Sequence, residues 1–162
     1  MARVERPPAG IEREGLLERL YREQGARIWH AVLAYAGDPE VASDAVAETF
    51  AQALRRGDEL RDPSAWVWRT AFRVAGGMLK ERGRSEPFEA AGSYEMEEPA
   101  RELVTALGRL SDKQRSAVVL HYVSGYPLRE VARLIGSTPG AVKIHLLRAR
   151  RRLHELLEDD DA

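Results

Sequence analysis

No cysteine occurs in the 162 residues, so disulfides and thiolate metal sites are excluded. No apolar run reaches the length of a membrane span, and the N-terminal MARVERPPAG lacks the apolar core of a signal peptide. Those two absences predict a cytoplasmic protein without membrane insertion. Alternation of apolar and polar residues, the mark of a half-buried strand, appears nowhere. The four histidines, His30, His121, His145 and His154, are scattered, with no H-E-x-x-H or other ligand spacing. No glycine-rich loop is placed to cradle phosphate, and no Ser–His–acid set follows from spacing. The chain does not read as an enzyme, and neither a cofactor nor a metal is expected.

A strong net charge is also lacking, at −1, but the average conceals a division. Residues 1–83 hold 13 Lys+Arg and 13 Asp+Glu, and residues 84–98 hold 1 and 5. Residues 99–154 hold 11 and 3, a net charge of +8, and residues 155–162 hold 0 and 5. A basic segment bracketed by acidic ones is the electrostatic footprint of a nucleic-acid binder.

Within the basic segment, Tyr126 to Leu157 predicts two helices around a tight turn. The first runs from about Leu128 to Ile135 and ends at Gly136, a residue suited to positive φ. Thr138 is a good N-cap with Pro139 at the first helical position, and the second helix runs to about Leu157. This is the pattern of a helix-turn-helix. Small Ala132 allows the helices to approach, and Val142 is the expected inward anchor. Val142, Leu146, Ala149, Leu153 and Leu156 form one buried stripe. The other side carries Gly140, Lys143, Ile144, His145, Leu147, Arg148 and Arg151. Basic residues beside exposed aliphatics suit a major groove, where apolar side chains touch thymine methyls. The plainer reading is an amphipathic bundle helix with solvated arginines.

Earlier in the chain, three more helices are expected. The first is Gly15 to Ala36, with Leu17, Tyr21, Ile28, Val32 and Tyr35 inward. The second is Pro39 to about Arg56, capped by Asp38, with Val46, Phe50 and Ala53 inward. The third is Ser64 to Glu81 after Asp62-Pro63, with Val67, Ala71, Val74 and Met78 inward. Residues 83–98 break the periodicity and read as an acidic linker, a flexible tether on which Phe88, Tyr94 and Met96 are apolar enough to dock. Leu103, Val104, Leu107 and Leu110 open the second domain. Ser111 with Gln114 is a capping box for a helix from Asp112 to Val123. The expected fold is all-α, with domains at 1–82 and 99–162 and a linker at 83–98. The second domain has four helices.

Taken together, DAVAETF (Asp44 to Phe50), DPSAWVWRTAFRVA (Asp62 to Ala75) and the stretch from Leu107 to Leu153 resemble a bacterial sigma factor. The likeness is to the small two-domain extracytoplasmic-function (ECF) type of the sigma-70 family. The resemblance spans Leu16 to Leu157. It implies a region 2-like domain that binds the RNA polymerase clamp and captures the melted minus-ten element, and a region 4-like domain that reads the minus-thirty-five element. By the same resemblance, Asp44, Glu48 and Thr49 fall in the polymerase-binding helix, with Phe50 better read as packing. Trp66, Trp68, Arg69, Arg73 and Lys80 fall on the strand-capturing helix, though Trp68 reads equally well as core. Core RNA polymerase, promoter DNA and an anti-sigma factor are the implied partners. Ala47, Arg73 and Gly77 depart from the family's usual Gln, Asn and Asp. Ile144 and His145 stand where Ser and Arg are common. Gly76-Gly77 within a helix costs about 1 kcal/mol per Gly relative to Ala.

A second class stays open: a helix-turn-helix transcriptional regulator whose first domain is a helical sensor or dimerisation module. The Asp44 to Phe50 and Trp66 to Arg73 helices discriminate, because a plain regulator has no reason to carry both. The acidic tail, Glu155 to Asp161, reads either as solubilising or as an autoinhibitor competing with DNA for Arg148, Arg150, Arg151 and Arg152.

Overall fold

The computed structural model describes residues 9–85 and 97–160. Helix α1 (Ala9–Ala36) stops where Gly37 turns to φ 69°. Asp38 then caps α2 (Pro39–Arg56), its carboxylate accepting from the amides of Glu40 at 2.8 Å and Val41 at 3.3 Å. A short 3₁₀ turn leads to Asp62, which caps α3 (Pro63–Ser85) by accepting from the Ala65 amide at 3.1 Å. Helix α3 passes through Gly76 and Gly77 without interruption. Its burial of Val67, Trp68, Ala71, Phe72 and Ala75 outweighs the poor helix propensity of the two glycines. These three helices form the first lobe.

The second lobe opens with α4 (Glu98–Leu107). Ser111 and Gln114 make the reciprocal capping box that starts α5 (Asp112–Val118). The expected regular helix to Val123 instead widens into a π-helical turn over Val119–Val123. That widening lets the Tyr126 amide donate to the Leu120 carbonyl at 3.0 Å, while His121 Nδ1 meets the Tyr126 carbonyl at 2.8 Å. It also brings Tyr126 inward. Helix α6 (Leu128–Ile135) ends at Gly136, in the left-handed region at φ 67°, and α7 (Pro139–Asp160) follows. Ala132 and Val142 are buried at the crossing of α6 and α7.

The cores of the two lobes are continuous: Trp68 and Phe72 of α3 share one buried cluster with Val131 and Leu134 of α6. Polar links reinforce the contact. The Arg115 guanidinium lies 4.3 Å over the Tyr35 ring and donates to the Tyr35 carbonyl at 3.0 Å. The Tyr35 hydroxyl donates to Asp112 at 3.2 Å, and Lys80 stands 3.7 Å from the same carboxylate. Arg27 donates to the Ser124 carbonyl at 3.0 Å and lies over the Tyr126 ring. Tyr126 sets its edge on Trp68, with ring centroids 5.3 Å apart. Arg133 pairs with Asp62. At Gly37 a Cβ would fall 2.6 Å from Val104, so the lobes also approach there.

Two expectations need revision. Tyr21 is 57% exposed; Leu20 takes the buried place, and Tyr21 lies edge-on to half-buried Phe50 at the rim. Helix α3 reaches Ser85 and α4 begins at Glu98, so both enter the stretch expected to be linker. The docking reading of Phe88, Tyr94 and Met96 lies outside the described residues. The acidic tail continues α7 to Asp160, with Glu155 paired to Arg152 and Glu158 to His154, each at 3.3 Å. Arg152 is one of the arginines that the autoinhibitory reading of the tail names, and both readings of the tail stay open. No helix among the described residues is long and apolar enough to cross a membrane.

Candidate nucleic-acid interface

Helix α7 is presented by its turn. Gly136 reverses the chain, the Ser137 amide donates to the Ala132 carbonyl at 2.8 Å, and Thr138 Oγ1 accepts from the Ala141 amide at 3.2 Å. Val142, Leu146 and Ala149 are buried against the rest of the lobe. Their burial fixes the rotation of α7, so Gly140, Lys143, Ile144, Leu147, Arg148 and Arg151 all face solvent. Ile144 and Leu147 are each 51% exposed, uncommon for large aliphatics unless something covers them. His145 is half-buried on the flank. Burial, with the charges of Lys113 and Arg148, pushes its imidazole below the ordinary value.

The residues expected to meet a single strand lie elsewhere. Trp66, Arg69, Arg73 and Lys80 line one cleft of about 650 Å³ between the lobes. Gly76 and Gly77 form part of its floor, and Lys113, Leu134 and Ile135 form the opposite wall. Arg56 lies over the Trp66 ring at 5.6 Å. Arg69 lies against the helix-turn-helix turn: a Cβ at Gly136 would sit 3.4 Å from its Nη1. Cations beside an aromatic face are the elements of a single-strand site.

Trp68 does not join them. It is 0% exposed, its indole N–H donates to Gln24 at 2.9 Å, and Tyr126 covers its face. Two residues along a helix is a rotation of about 200°, which sets Trp68 opposite Trp66. Its expected base-stacking role is corrected to a core role.

On α2, Asp44 is exposed and Glu48 half-buried. Gln52 donates to Glu48 at 2.9 Å and Arg55 at 3.0 Å, and these partners hold its carboxyl below the ordinary value. Thr49 is fully buried and donates its hydroxyl to the Ala45 carbonyl at 2.6 Å, so it offers no surface to a partner. That expectation too is corrected. Sequence reasoning missed Lys113, which faces both the cleft and His145, along with Arg27, Asp62, Arg115, Tyr126 and Arg133. The cross-lobe partners of those last five lie 71 to 97 residues away where bonded, beyond any local periodicity.

Two helical lobes, with a helix-turn-helix in the second and a basic aromatic helix in the first, are the arrangement to compare with known proteins. The family model for sigma-70, region 4, matches residues 100–153. A curated relative, the ECF RNA polymerase sigma factor BldN of Streptomyces coelicolor, is 29% identical over 181 residues, covering 99% of this chain and 66% of its own length. This chain thus spans just under two thirds of that relative. The ECF RNA polymerase sigma factor SigM of Mycobacterium tuberculosis is 28% identical over 150 residues, covering 86% of this chain and 76% of its own. In fold, the chain is similar to CnrH, solved in complex with the cytosolic domain of CnrY, with a TM-score of 0.70 at 22% identity over 94% of both chains. It is also similar to the sigma factor RpoE of Bartonella quintana, solved with the anti-sigma factor NepR, with a TM-score of 0.64 at 23% identity over 90% of this chain and 98% of that one. The chain is thus similar to ECF sigma factors along its length, and its residues 100–153 match sigma-70, region 4.

Proposed function

We propose that this chain is a sigma factor that binds core RNA polymerase and directs transcription initiation by binding rather than by catalysis. In this reading α7 enters the major groove of the minus-thirty-five element through Lys143, Ile144, Leu147, Arg148 and Arg151. Trp66, Arg69, Arg73 and Lys80 hold the melted minus-ten strand, the indole stacking a base and the cations following phosphates. Asp44 and Glu48 supply the polymerase contact. An anti-sigma factor is a further partner, by analogy with the complex of the similar RpoE.

One observation supports the reading: a solvent-facing helix after the helix-turn-helix turn and a separate cluster of cations beside the half-buried Trp66 share one chain. Duplex reading and single-strand capture are the two tasks of promoter opening. The test is transcription in vitro with core polymerase on genomic promoter fragments. Asp44→Arg with Glu48→Arg should abolish co-purification with core polymerase while circular dichroism shows the fold intact. Normal co-purification of that folded variant would move the polymerase contact away from Asp44 and Glu48, whereas an unsubstituted chain that fails to co-purify would favour the regulator reading.

A further inference from the structure

The first turns of α7 lack the side chains that most often read bases. From Pro139 to Leu147 the helix runs PGAVKIHLL, with no Arg, Asn, Gln, Asp or Glu. Those types pair with guanine or adenine through two hydrogen bonds, or accept one from cytosine. Yet in a helix-turn-helix the N-terminal residues of the second helix are the ones that reach base edges. Lys143 is a point charge on a flexible stem, not a planar fork. His145 is half-buried on the flank, within the field of Lys113. The first arginine, Arg148, comes about 14 Å along the axis from Pro139.

What this stretch does present is Ile144 and Leu147, each 51% exposed. Buried Val142, Leu146 and Ala149 fix the rotation of α7, so the pair cannot turn inward. Three residues apart, the two side chains are separated by about 60° of rotation and about 4.5 Å of rise. That rise is close to the step of about 3.4 Å between stacked base pairs. No acid occurs from Pro139 to His154, while Lys143, Arg148 and Arg151 are exposed around the pair. An apolar pair within a purely cationic surface suits a polyanion that carries apolar groups of its own.

We propose that Ile144 and Leu147 are specificity-determining residues that read the C5-methyl groups of thymines on neighbouring base pairs. The proposal rests on the reading of α7 as the duplex-binding helix and adds what that helix selects. Thymine alone among the four DNA bases sets an apolar group in the major groove. Two aliphatic side chains gain by covering two such methyls, and they gain nothing comparable from the other bases. Arg148 and Arg151 then add affinity through phosphates without choosing a sequence. A 5-methylcytosine carries its methyl at the same ring position, so the same face should accept it.

The test begins by selecting duplexes from a random-sequence library with the full chain, alone and with core RNA polymerase. The retained pool should carry thymines at two neighbouring base pairs. Each thymine is then replaced by deoxyuridine, which removes the methyl and keeps every hydrogen-bonding group. Anisotropy titrations should show affinity falling about fourfold per methyl, and about fifteenfold for both, on the scale of one buried CH₂-sized group each. Ile144→Ala and Leu147→Ala lie at exposed positions and leave the core intact. Each should weaken the thymine duplex and cancel the deoxyuridine penalty at one position, a coupling that neither folding nor general charge produces. With the unsubstituted chain, 5-methylcytosine should bind about fourfold better than cytosine at the same position. Equal affinity for the thymine and deoxyuridine duplexes would overturn the proposal and assign the pair to a protein partner. Equal weakening of both duplexes by the two substitutions, or a selection that enriches no thymine in either form, would also overturn it. A methyl penalty without transcription from the selected duplex by core polymerase would uphold the proposal and overturn the sigma-factor reading.

Discussion

Helices α3 and α7 each set arginines beside large apolar side chains, yet α7 turns them to solvent and α3 turns them towards the other lobe. The difference comes from what each helix buries. The α7 stripe of Val142, Leu146 and Ala149 points into its own lobe and leaves the far side open. Helix α3 buries Val67, Ala71 and Ala75 in its own lobe and also gives Trp68 and Phe72 to a core continuous with α6. A helix packed on two sides has little surface left to choose from. Composition alone therefore does not say whether a basic aromatic helix is ready to bind.

Trp66 and Trp68 offer the sharpest way to break that comparison. Trp68→Ala should destabilise the protein by about 3–5 kcal/mol, because it leaves a cavity beside Tyr126 and removes one of the two donors to the Gln24 amide oxygen. Trp66→Ala should cost about 1 kcal/mol of stability, through loss of the Arg56 contact. It should nonetheless weaken single-strand binding by about 1–3 kcal/mol. Thermal unfolding and fluorescence anisotropy measure the two effects. A Trp68→Ala protein that is stable but unable to bind single-stranded DNA would reverse the assignment made here.

A smaller effect should divide the two helices by DNA type. Lys143→Ala and Arg148→Ala should weaken promoter-duplex binding, and each should lower the salt slope by about 1. Neither should alter single-strand binding. Arg73→Ala should do the opposite, since its side chain lines the cleft rather than the outer face of α7. Titrations of both DNA forms across ionic strength would separate the surfaces, and equal losses on both forms would merge them.

Much of this was legible in the chain because it is written locally. Asp38-Pro39, Asp62-Pro63, Ser111 with Gln114, and Gly136 followed by Thr138-Pro139 are capping signals that act within one turn, and all four operate in the structure. The inward stripe of α7 follows from a 3.6-residue period and needs no tertiary information. The cross-lobe contacts are different. Arg27 and Ser124 are 97 residues apart, and nothing near either residue encodes the other. The π-helical turn was illegible for a related reason: Val119–Val123 has an ordinary helical composition, and the widening is stabilised by Tyr126 and His121 folding back on it. Trp68 was ambiguous because an indole suits a core as well as a base stack. Thr49 was misassigned because a resemblance places a residue on a helix without saying that its hydroxyl is satisfied by Ala45 one turn back.

The smallest expected effect concerns the flank of α7, where exposure is intermediate between the two extremes. His145 is held below its ordinary imidazole value by burial, then by Lys113 and Arg148. In the free protein it is therefore neutral at pH 7. Duplex phosphate brought against α7 adds negative charge beside it and offsets the two cations, which raises the value in the complex. Binding then takes up protons, so promoter affinity should increase as pH falls from about 8 to about 6. His145→Gln keeps a hydrogen-bonding side chain without a proton to gain, and should flatten that pH dependence while leaving the affinity at pH 8 within about twofold. Lys113→Gln should flatten it near neutral pH, because removing a cation raises the free imidazole towards its value in the complex and leaves less proton to take up. Duplex binding by anisotropy across this range, at constant ionic strength, checks all three proteins. A wild-type affinity that weakens on acidification would mean that His145 faces the lobe interface in the DNA complex and takes no part in the duplex contact.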